Sequence, residues 1–528
     1  MILLLGDEAI AQGAIDAGIS GVYAYPGTPS TEITEYIQHS KQATSLNIRS
    51  SWAANEKTAM EGALGMSYAG KRALVCMKHV GLNVAADAFV NSAITGANGG
   101  LVVLAADDPS MHSSQNEQDS RFYAKFALLP VFEPASQQEA YDMTIAAFEL
   151  SEKMHLPVML RITTRLAHSR SGVNQMAPAA QNTISLPENR KQFILLPAIA
   201  RQSYKKLLEK QVVLEQSSEE SAFNNYIDGP DKSRGVIASG ISYNYLSENY
   251  PDGCPYPVYK LSQYPLPTSV VNKMVAECDE LLVLEEGMPV LEEVIKGMSN
   301  VGPKVRGRLD GTLPRDGELD PDSVAQAFGL SNGNGLEVPE IVENRPPSLC
   351  QGCGHIDMYT ALNDVAAKYT DGRVFADIGC YTLGALPPYT AIDSCVDMGA
   401  SITMAKGAAD AGLFPAVAVI GDSTFTHSGM TGLLDAVNDN SNVVIIISDN
   451  ETTAMTGGQK SSGTGRLEAI CSGIGVDPDH IRVFVPLKKN YDEMIKVLQE
   501  EFEYKGVSVI IPRRECIQVA IRNKKKKK

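Results

Sequence analysis

The sequence contains no run of about 20 apolar residues, so no segment is long enough to cross a bilayer as a helix. Its start, MILLLGDEAI, places no basic residues ahead of the short apolar run, which argues against a secretory signal peptide. Basic residues are also few, since 46 Lys and Arg face 62 Asp and Glu, giving a net charge of −16. Binding to nucleic-acid phosphates requires a basic surface, so nucleic acid is not an expected partner. Taken together, the three observations predict a cytoplasmic protein that binds neither membranes nor nucleic acid.

Disulfides are not expected either. The nine cysteines are an odd number in a chain without an export signal, so thiols or metal ligands are expected instead.

At 528 residues the chain is too long for one ordinary domain. Its 44% hydrophobic and 20% charged residues are typical of a globular protein.

Short β-branched runs alternate with helical stretches along the chain, which predicts α/β architecture with parallel sheets. Polar, Pro-containing breaks at 169–190 and 314–347 divide this pattern. We therefore predict three doubly wound domains, at 1–175, 190–330 and 335–523, followed by a solvated, frayed lysine tail at 524–528. The predicted strands are 21–27, 72–77, 101–107, 156–162, 235–242, 256–262, 280–287, 373–379, 415–422, 442–450 and 507–512, and a helix is predicted at 196–216.

Polar side chains end two of these strands. Asp422 follows the run AVAVIG, and Asn450 follows VVIIISD. Ligands bind at the carboxyl ends of parallel strands, and a carboxylate with an amide oxygen suits Mg²⁺. Gly421 and Ser423 are small enough for the backbone to approach a diphosphate closely. The alternative is structural: Asp422 caps a helix and Asn450 forms an Asx-turn.

The continuation SDNETTAMTGGQKSSG at 448–463 resembles the thiamine diphosphate motif of 2-oxoacid:ferredoxin oxidoreductases. From GDEAIAQGAIDAGISGVYAYPGTPSTEI onward, nearly the whole chain resembles the alpha subunit of indolepyruvate ferredoxin oxidoreductase. The resemblance implies that the three domains are, in order, pyrimidine-binding, transketolase C-terminal-like and thiamine diphosphate-binding. It also implies Mg²⁺ ligation by Asp422, Asn450 and the Thr452 carbonyl. The other cofactor contacts that it implies are Gly27, Glu56, Gly354, His355, Gly421, Ser423, Met455 and Thr456.

Glu56 opens a helix rich in Ala and Gly, in the segment SSWAANEKTAMEGALG. The resemblance gives it the role of engaging the pyrimidine nitrogen of thiamine and so promoting loss of the thiazolium C2 proton. Its spacing alone favours a simpler interpretation, because Glu near a helix N-terminus interacts well with the macrodipole. Glu61, one turn further on, is the weaker alternative.

Other polar residues of the amino-terminal segment are candidates for substrate contact. Thr28 or Ser30 in YAYPGTPSTEI can donate to a substrate carboxylate, and the resemblance favours Thr28; the alternative is a helix cap. The resemblance implies that His79 lines the pocket as a proton donor or aryl contact, although a lone His is more often structural. His112 and Arg121, on a predicted active-site loop at 107–127, are weaker candidates.

Four cysteines form a possible metal set. Cys350 and Cys353 form a CxxC, and Cys380 and Cys516 sit where predicted strands end. Spacing alone leaves zinc, a redox dithiol and an Fe–S cluster open. The resemblance implies that these four hold one [4Fe–4S] cluster, with Cys471 as rival for the fourth position. The remaining cysteines, Cys76, Cys254, Cys278 and Cys395, are interpreted as small buried residues.

The resemblance implies oxidative decarboxylation of indolepyruvate, phenylpyruvate or hydroxyphenylpyruvate with coenzyme A, and electron transfer to ferredoxin. It also implies a smaller beta subunit in a dimer of heterodimers. Many such alpha subunits continue into a ferredoxin-like tail with CxxCxxCxxxCP runs; none is present here, so one cluster per chain is expected. Phenylglyoxylate and branched-chain 2-oxo acids remain open as substrates. The alternative functions are a non-oxidative thiamine-dependent 2-oxo acid decarboxylase and a catalytically inactive scaffold subunit. The four cysteines argue against the decarboxylase, and the cofactor contacts argue against the scaffold.

Overall fold

The computed structural model describes residues 1–187, 189, 191–298, 304–330, 339–343, 347–370 and 372–526. The chain divides into two compact units, Met1–Glu337 and Val338–Lys528. Within the described residues, no helix combines the length and apolarity needed to cross a membrane. Each unit buries apolar residues around parallel sheets, which confirms the predicted α/β fold class.

Six parallel strands form the first sheet of the first unit, in the order β3-β2-β4-β5-β7-β6. Strands β1 and β8 pair antiparallel beside it. The strands are β1 Ile2–Leu5, β2 Gly21–Ala24, β3 Arg49–Trp52, β4 Ala73–Lys78, β5 Leu101–Asp107, β6 Val131–Phe132, β7 Val158–Thr163 and β8 Arg170–Val173. The helices are α1 Gly6–Asp16, α2 Thr31–His39, α3 Lys41–Ser45, α4 Glu56–Tyr68, α5 His79–Thr95, α6 Arg121–Ala127, α7 Gln137–Met154 and α8 Thr164–His168.

A five-stranded sheet completes the first unit, in the order β13-β12-β10-β11-β9, with only the edge strand β9 antiparallel. Its elements are α9 Pro197–Glu219, β9 Asn225–Ile227, β10 Gly235–Ser239, α10 Ser242–Asn249, β11 Val258–Leu261, α11 Thr268–Glu277, β12 Glu280–Leu284, α12 Val290–Met298, β13 Lys304–Arg306 and α13 Pro321–Ala327. The helix predicted at 196–216 is therefore confirmed as α9.

The second unit is built on six parallel strands in the order β15-β14-β16-β17-β21-β20. Alternate residues of β16 face two different apolar clusters, so helices cover both faces of a doubly wound sheet. Its elements are α14 Gly354–Ala366, β14 Arg373–Ala376, β15 Ser394–Cys395, α15 Ala400–Asp410, β16 Ala416–Gly421, α16 Asp422–Thr424, α17 Met430–Asn438, β17 Val443–Ser448, β18 Thr452–Thr453, β19 Gln459–Lys460, α18 Leu467–Ile474, β20 Ile481–Phe484, α19 Tyr491–Glu503, β21 Val507–Pro512 and α20 Ile517–Lys526.

Three local expectations were wrong. Cys395, interpreted from the sequence as a buried residue, is exposed. The segment interpreted as a linker from residue 169 begins as β8, because its backbone pairs with the leucine-rich β1 even though its own sequence is mostly polar. The lysine tail is not frayed throughout, since α20 continues to Lys526; residues 527 and 528 lie outside the described part of the chain. Part of the second predicted break, 331–338 and 344–346, also lies outside the described residues. The three-domain boundaries stay a prediction.

Candidate active site

Asp422 is the first helical residue after β16, and its carboxylate is buried. Its Oδ2 atom has no hydrogen-bond partner, whereas the Ser461 hydroxyl and the backbone N–H groups of Ser423 and Asn450 interact with the carboxylate. Burial, together with the charge of Asp449, raises the pKa of Asp422 to about 7. A cation beside the unpartnered oxygen would offset the cost of burying this charge. The donor set therefore fits Mg²⁺.

Asn450 and Thr452 lie in the loop that follows β17. The Asn450 side-chain Oδ1 accepts a hydrogen bond from the Thr452 backbone N–H at 3.2 Å, which forms the Asx-turn of the structural alternative. The Thr452 hydroxyl donates to the Gln459 carbonyl at 2.8 Å and holds the β18–β19 hairpin. Since Asn450 also contacts Asp422 through its backbone, the structure brings the predicted Mg²⁺ ligands together. Ligation itself stays a prediction.

The remaining predicted diphosphate contacts lie around the same loops. Ser423 Oγ is 2.8 Å from Thr453 Oγ1, and Thr456 Oγ1 donates to Gln459 Oε1 at 2.6 Å. Met455 is 57% exposed, so no neighbour in its unit covers this side chain. An exposed apolar residue on a cofactor loop is consistent with a contact made only when a ligand or partner is present.

Sequence reasoning missed Asp377 and Tyr381, which lie beside Gly421. The Asp377 carboxylate is buried and accepts hydrogen bonds from the Tyr381 hydroxyl and from the Ser401 hydroxyl, the latter at 2.6 Å. Burial raises the pKa of Asp377 to about 7. A Cβ on Gly421 would lie 2.7 Å from the Tyr381 ring, so Gly421 is needed for this packing. The signal was available, because Asp377 follows β14 just as Asp422 follows β16.

The four predicted cluster cysteines line one cavity of about 810 Å³, a volume that includes its opening to solvent. Gly354, His355 and Asn450 line the same cavity. The backbone N–H of Cys516 donates to the Asn450 carbonyl at 3.2 Å, which joins the thiol cavity to the predicted Mg²⁺ loop. The cavity therefore combines sulfur ligands with a residue of the diphosphate motif.

The thiols of this cavity interact electrostatically. Burial, then the neighbouring thiols of Cys353, Cys516 and Cys350, raises the pKa of Cys380 to about 12. Burial also raises the pKa of Cys353, whose sulfur lies 3.5 Å from His355 Nδ1. Burial lowers the pKa of His355 to about 4, so its imidazole is neutral near pH 7. The raised pKa values of Cys353 and Cys380 disfavour free thiolates at these two positions, and a group that binds them as thiolates would offset this cost.

The spacing of the thiols favours a group larger than a single ion. Zn–S bonds of about 2.3 Å place the sulfurs of a tetrahedral site about 3.8 Å apart. Over the described ranges of the chain, no three of the cavity thiols have sulfurs within 4.8 Å of one another. A [4Fe–4S] cluster holds its ligands further apart than one metal ion does, so the absence of such a group of three sulfurs is consistent with a cluster.

Cys471, the rival fourth ligand, lies elsewhere in the second unit. It is fully buried in α18 within the apolar cluster that contains Leu467 and Phe425, and it does not line the cavity. Burial raises the pKa of its thiol to about 12. Because the cavity contains Cys516 and not Cys471, the geometry favours Cys516 as the fourth ligand.

Glu56 is the first residue of α4 and is 5% exposed. A Cβ built on Gly81, in the facing helix α5, would lie 2.5 Å from Glu56 Oε1. Gly81 therefore makes the space that the Glu56 side chain occupies, and sequence reasoning missed it. Glu61, the weaker alternative, is half-exposed and pairs with Lys57 on the same helix, a common surface arrangement.

Gly27, Thr28 and Lys78 lie at the carboxyl ends of β2 and β4, on the same edge of the first sheet. The Lys78 stem packs against Gly27, and its ammonium donates to the Ser113 carbonyl at 2.9 Å. Burial lowers the pKa of Lys78, while the charges of Asp108 and Glu56 act in the opposite direction. Lys78 is thus a cation near Glu56 that the sequence analysis did not single out.

Of the two candidate hydroxyls in the turn after β2, that of Ser30 makes a hydrogen bond within the turn. Ser30 Oγ donates to the Gly27 carbonyl at 2.8 Å and makes no helix cap, contrary to the structural alternative. Thr28 is partly exposed, and its carbonyl accepts from Ser113 Oγ at 3.4 Å. The turn thus leaves Thr28 as the better candidate for substrate contact.

The other candidates of the first unit have protein partners. His79 is buried, with Nε2 3.2 Å from the Asn116 carbonyl and Nδ1 without a partner. His112 is exposed and pairs with Glu318 at 3.0 Å. Arg121 is buried and pairs with Asp119 at 2.6 Å and Glu285 at 3.2 Å. These contacts give Arg121 a structural role, because an unpaired buried charge would be costly.

Replacing Gly81 by Ala should displace the Glu56 carboxylate, because the new methyl group would overlap it. The side chain can move without unfolding the helix, so we expect a loss of activity of roughly 100-fold, the usual scale for a 1 Å misplacement, with little change in melting temperature. Gly65→Ala in α4 is the matched control, since its Cβ would meet nothing within 4 Å. If the Gly81 and Gly65 variants were equally active, the packing of Gly81 against Glu56 would not matter for activity.

Comparisons with known proteins fit this geometry. A family model described as "Pyruvate flavodoxin/ferredoxin oxidoreductase, thiamine diP-bdg" matches residues 12–224. One described as "Thiamine pyrophosphate enzyme, C-terminal TPP binding domain" matches residues 377–511. A solved 2-oxoglutarate:ferredoxin oxidoreductase from Magnetococcus marinus shares the fold over 62% of this chain and 64% of its own, with a TM-score of 0.52 and 16% identity. Fold and site together define a thiamine diphosphate-dependent 2-oxoacid oxidoreductase.

Full-length relatives narrow this class. Indolepyruvate oxidoreductase subunit IorA of Archaeoglobus fulgidus is 39% identical over 98% of this chain and 86% of the relative. The IorA subunit of Pyrococcus abyssi is 38% identical over 98% of this chain and 85% of the relative. A 2-oxoglutarate synthase subunit KorA from Methanocaldococcus jannaschii matches only 32% of the chain, at 28% identity. The chain belongs to the family of indolepyruvate oxidoreductase alpha subunits, IorA.

Proposed function

We propose that the chain, with a smaller beta subunit, converts arylpyruvates and coenzyme A into aryl-acetyl-CoA and CO₂ in the cytoplasm. Indolepyruvate, phenylpyruvate and hydroxyphenylpyruvate are the proposed substrates, and the assembly is a dimer of heterodimers. Oxidation of each substrate would release two electrons, with two molecules of oxidised ferredoxin as acceptors. Cys350, Cys353, Cys380 and Cys516 would hold one [4Fe–4S] cluster, which would supply one-electron transfer. The observation that carries this proposal is the cavity that the four cysteines share with Asn450.

The position of this cavity supports an oxidative reaction. Cys516 contacts Asn450 through its backbone, and Asn450 contacts Asp422, so the proposed cluster and the proposed Mg²⁺ lie on adjoining loops. Cysteines on a loop that contacts the predicted Mg²⁺ loop would be well placed to hold an electron carrier for the proposed cofactor. A non-oxidative decarboxylase needs no metal-binding thiols at this place.

Bound thiamine diphosphate supplies the electron sink that lets the substrate carboxyl group leave as CO₂. Asp422, Asn450 and the Thr452 carbonyl hold the Mg²⁺ that anchors its diphosphate. Glu56, buried at the start of α4, holds a proton at the pyrimidine nitrogen. Thr28 orients the substrate carboxylate, and His79 lines the pocket.

Replacing Asp422 by Asn tests the Mg²⁺ assignment through stability. An unfolded Asp titrates near pH 4, whereas burial raises the pKa of Asp422 to about 7, so the folded state binds more protons between these values. Stability without metal therefore falls as the pH rises from 4 to 7. At pH 8 the metal-free variant should exceed the wild type by roughly 2–4 kcal/mol in its free energy of unfolding.

Mg²⁺ and thiamine diphosphate should reverse this order, because they stabilise the wild type and not the variant. Denaturant unfolding at pH 5 and pH 8, with and without these ligands, measures both effects. Asp435→Asn is the matched control, since Asp435 is exposed on α17. If the Asp422 and Asp435 variants gain equal stability from the ligands, Asp422 is not a ligand of the anchoring cation.

The reaction is tested with the alpha and beta subunits produced together without oxygen. Reduction of ferredoxin should require both coenzyme A and an arylpyruvate, with one CO₂ released per two ferredoxins reduced. 2-Oxoglutarate is the control substrate and should react far more slowly. CO₂ release that continues unchanged without an electron acceptor would show a non-oxidative decarboxylase and overturn the proposal.

A further inference from the structure

Asp7, Glu32 and His168 form a cluster in the first unit, outside the residues assigned above. Their ligand atoms all lie within 4.8 Å of one another, and no other group of three or more Asp, Glu, His and Cys side chains in the described part of the chain does so. We propose that these three side chains bind one Zn²⁺ ion. The site is distinct from the cysteine cavity, which is in the second unit.

Asp7 gives the strongest reason for a cation. It lies in the first turn of α1, is fully buried, and neither carboxylate oxygen has a hydrogen-bond donor. Burial, and then the charge of Glu32, raises its pKa well above the usual value. A carboxylate without donors in the interior is costly unless a proton or a cation is beside it.

Glu32 and His168 complete the site from two other helices. Glu32 is in the first turn of α2, and its Oε2 atom is buried without a partner. His168 ends α8, with Nε2 3.8 Å from Glu32 Oε1. The Glu32 and His168 side chains are 38% and 37% exposed, respectively, so solvent reaches the cluster beside them. The buried Asp7 carboxylate forms the inner side of the cluster. An ion has a route of entry, and water can supply a fourth ligand.

The ligand types select the ion. An imidazole disfavours Mg²⁺ and Ca²⁺, which take oxygen ligands, and favours Zn²⁺ and similar transition metals. Zn²⁺ bonds of about 2.0–2.2 Å to oxygen and nitrogen place tetrahedral ligands about 3.4 Å apart, so only small side-chain movements are needed. Two carboxylates with neutral imidazole balance the charge of Zn²⁺. The competing occupant is a proton shared by Asp7 and Glu32, whose carboxyl groups interact directly.

The bound ion would have a structural effect on the substrate turn. It would tie together α1, α2 and α8, and α2 begins directly after the turn that contains Gly27 and Thr28. Zn²⁺ at Glu32 would therefore fix the start of α2 and, through it, the position of Thr28.

Co²⁺ binding to the full chain tests the proposal, with the cysteine cluster intact and the Asp422 site saturated with Mg²⁺ and thiamine diphosphate. After treatment with a chelator, the protein should bind one Co²⁺. The difference spectrum between the Co²⁺-loaded and the Co²⁺-free protein should show oxygen and nitrogen ligation without new thiolate charge-transfer bands. Asp7→Asn and His168→Gln should each weaken this binding by at least about tenfold. His39→Gln, an exposed residue on α2, is the matched control and should bind as the wild type does.

Three results would overturn the proposal: no Co²⁺ bound, a thiolate spectrum, or equal binding by all three variants. Melting temperatures separate a metal site from a shared proton, because Zn²⁺ should raise the melting temperature of the wild type and the His39 variant only. A metal-independent stability change on replacing Asp7, without any Zn²⁺ response in the wild type, would establish the proton.

Discussion

Cys516→Ser should reduce ferredoxin-linked activity to background while leaving thiamine diphosphate binding intact. The four thiols share one cavity, so removing one ligand should release the cluster and lower iron from about four per chain to near zero. The substitution leaves the predicted Mg²⁺ ligands Asp422, Asn450 and Thr452 in place, although Cys516 contacts Asn450 through its backbone. Iron content, electron paramagnetic resonance of the reduced protein and thiamine diphosphate binding would measure these effects together.

Cys471→Ala is the matched control for this experiment. Cys471 is packed among apolar side chains in α18, so the variant should keep its iron and its activity with a small loss of stability. If the Cys471 variant loses the cluster and the Cys516 variant keeps it, the assignment of the fourth ligand is reversed. If neither loses iron, the cavity does not hold the cluster.

Glu56→Gln should lower the turnover number by about 10²–10⁴-fold, because the amide cannot hold the proton that a carboxyl group shares with the cofactor. The side chain keeps its size, so the space opposite Gly81 stays filled and the fold should be unchanged. Exchange of the thiamine C2 proton with deuterated solvent, measured by rapid quench, should slow in parallel with turnover. Iron content should not change.

Glu61→Gln is the control for Glu56, since Glu61 lies one turn further along the same helix and pairs with Lys57 at the surface. Its activity should match the wild type, because surface pairs of this kind contribute little to stability. If C2 proton exchange were slow in the Glu61 variant and normal in the Glu56 variant, Glu61 and not Glu56 would be the residue that activates the cofactor.

The strands that position the site could be predicted because their sequences are continuous apolar runs. The strands at Leu101–Asp107 and Val507–Pro512 match the predicted ranges at both ends. The edge strand Arg49–Trp52 was missed because RSSW contains one apolar residue, and Arg170–Val173 was missed for the same reason. An edge strand is held by its backbone partner and needs no apolar pattern of its own.

The candidate site was predictable to the extent that it follows strand ends. Asp422 and Asn450 follow adjacent parallel strands, so their meeting was expected. The contact between Gly81 and Glu56 was not, because it depends on how two helices pack. The junction of Cys516 with Asn450 likewise depends on β21 lying beside β17, which no local pattern specifies.

Iron, acid-labile sulfide and zinc per chain, measured on protein purified without oxygen, test the central claim most directly. Asp7→Asn is analysed beside the wild type, so that zinc in the first unit is counted separately. The account predicts about four irons and four sulfides per chain in both proteins, with no zinc left in the variant. Zinc retained by the Asp7 variant in place of iron, or cysteines without any metal, would contradict an electron-transferring oxidoreductase.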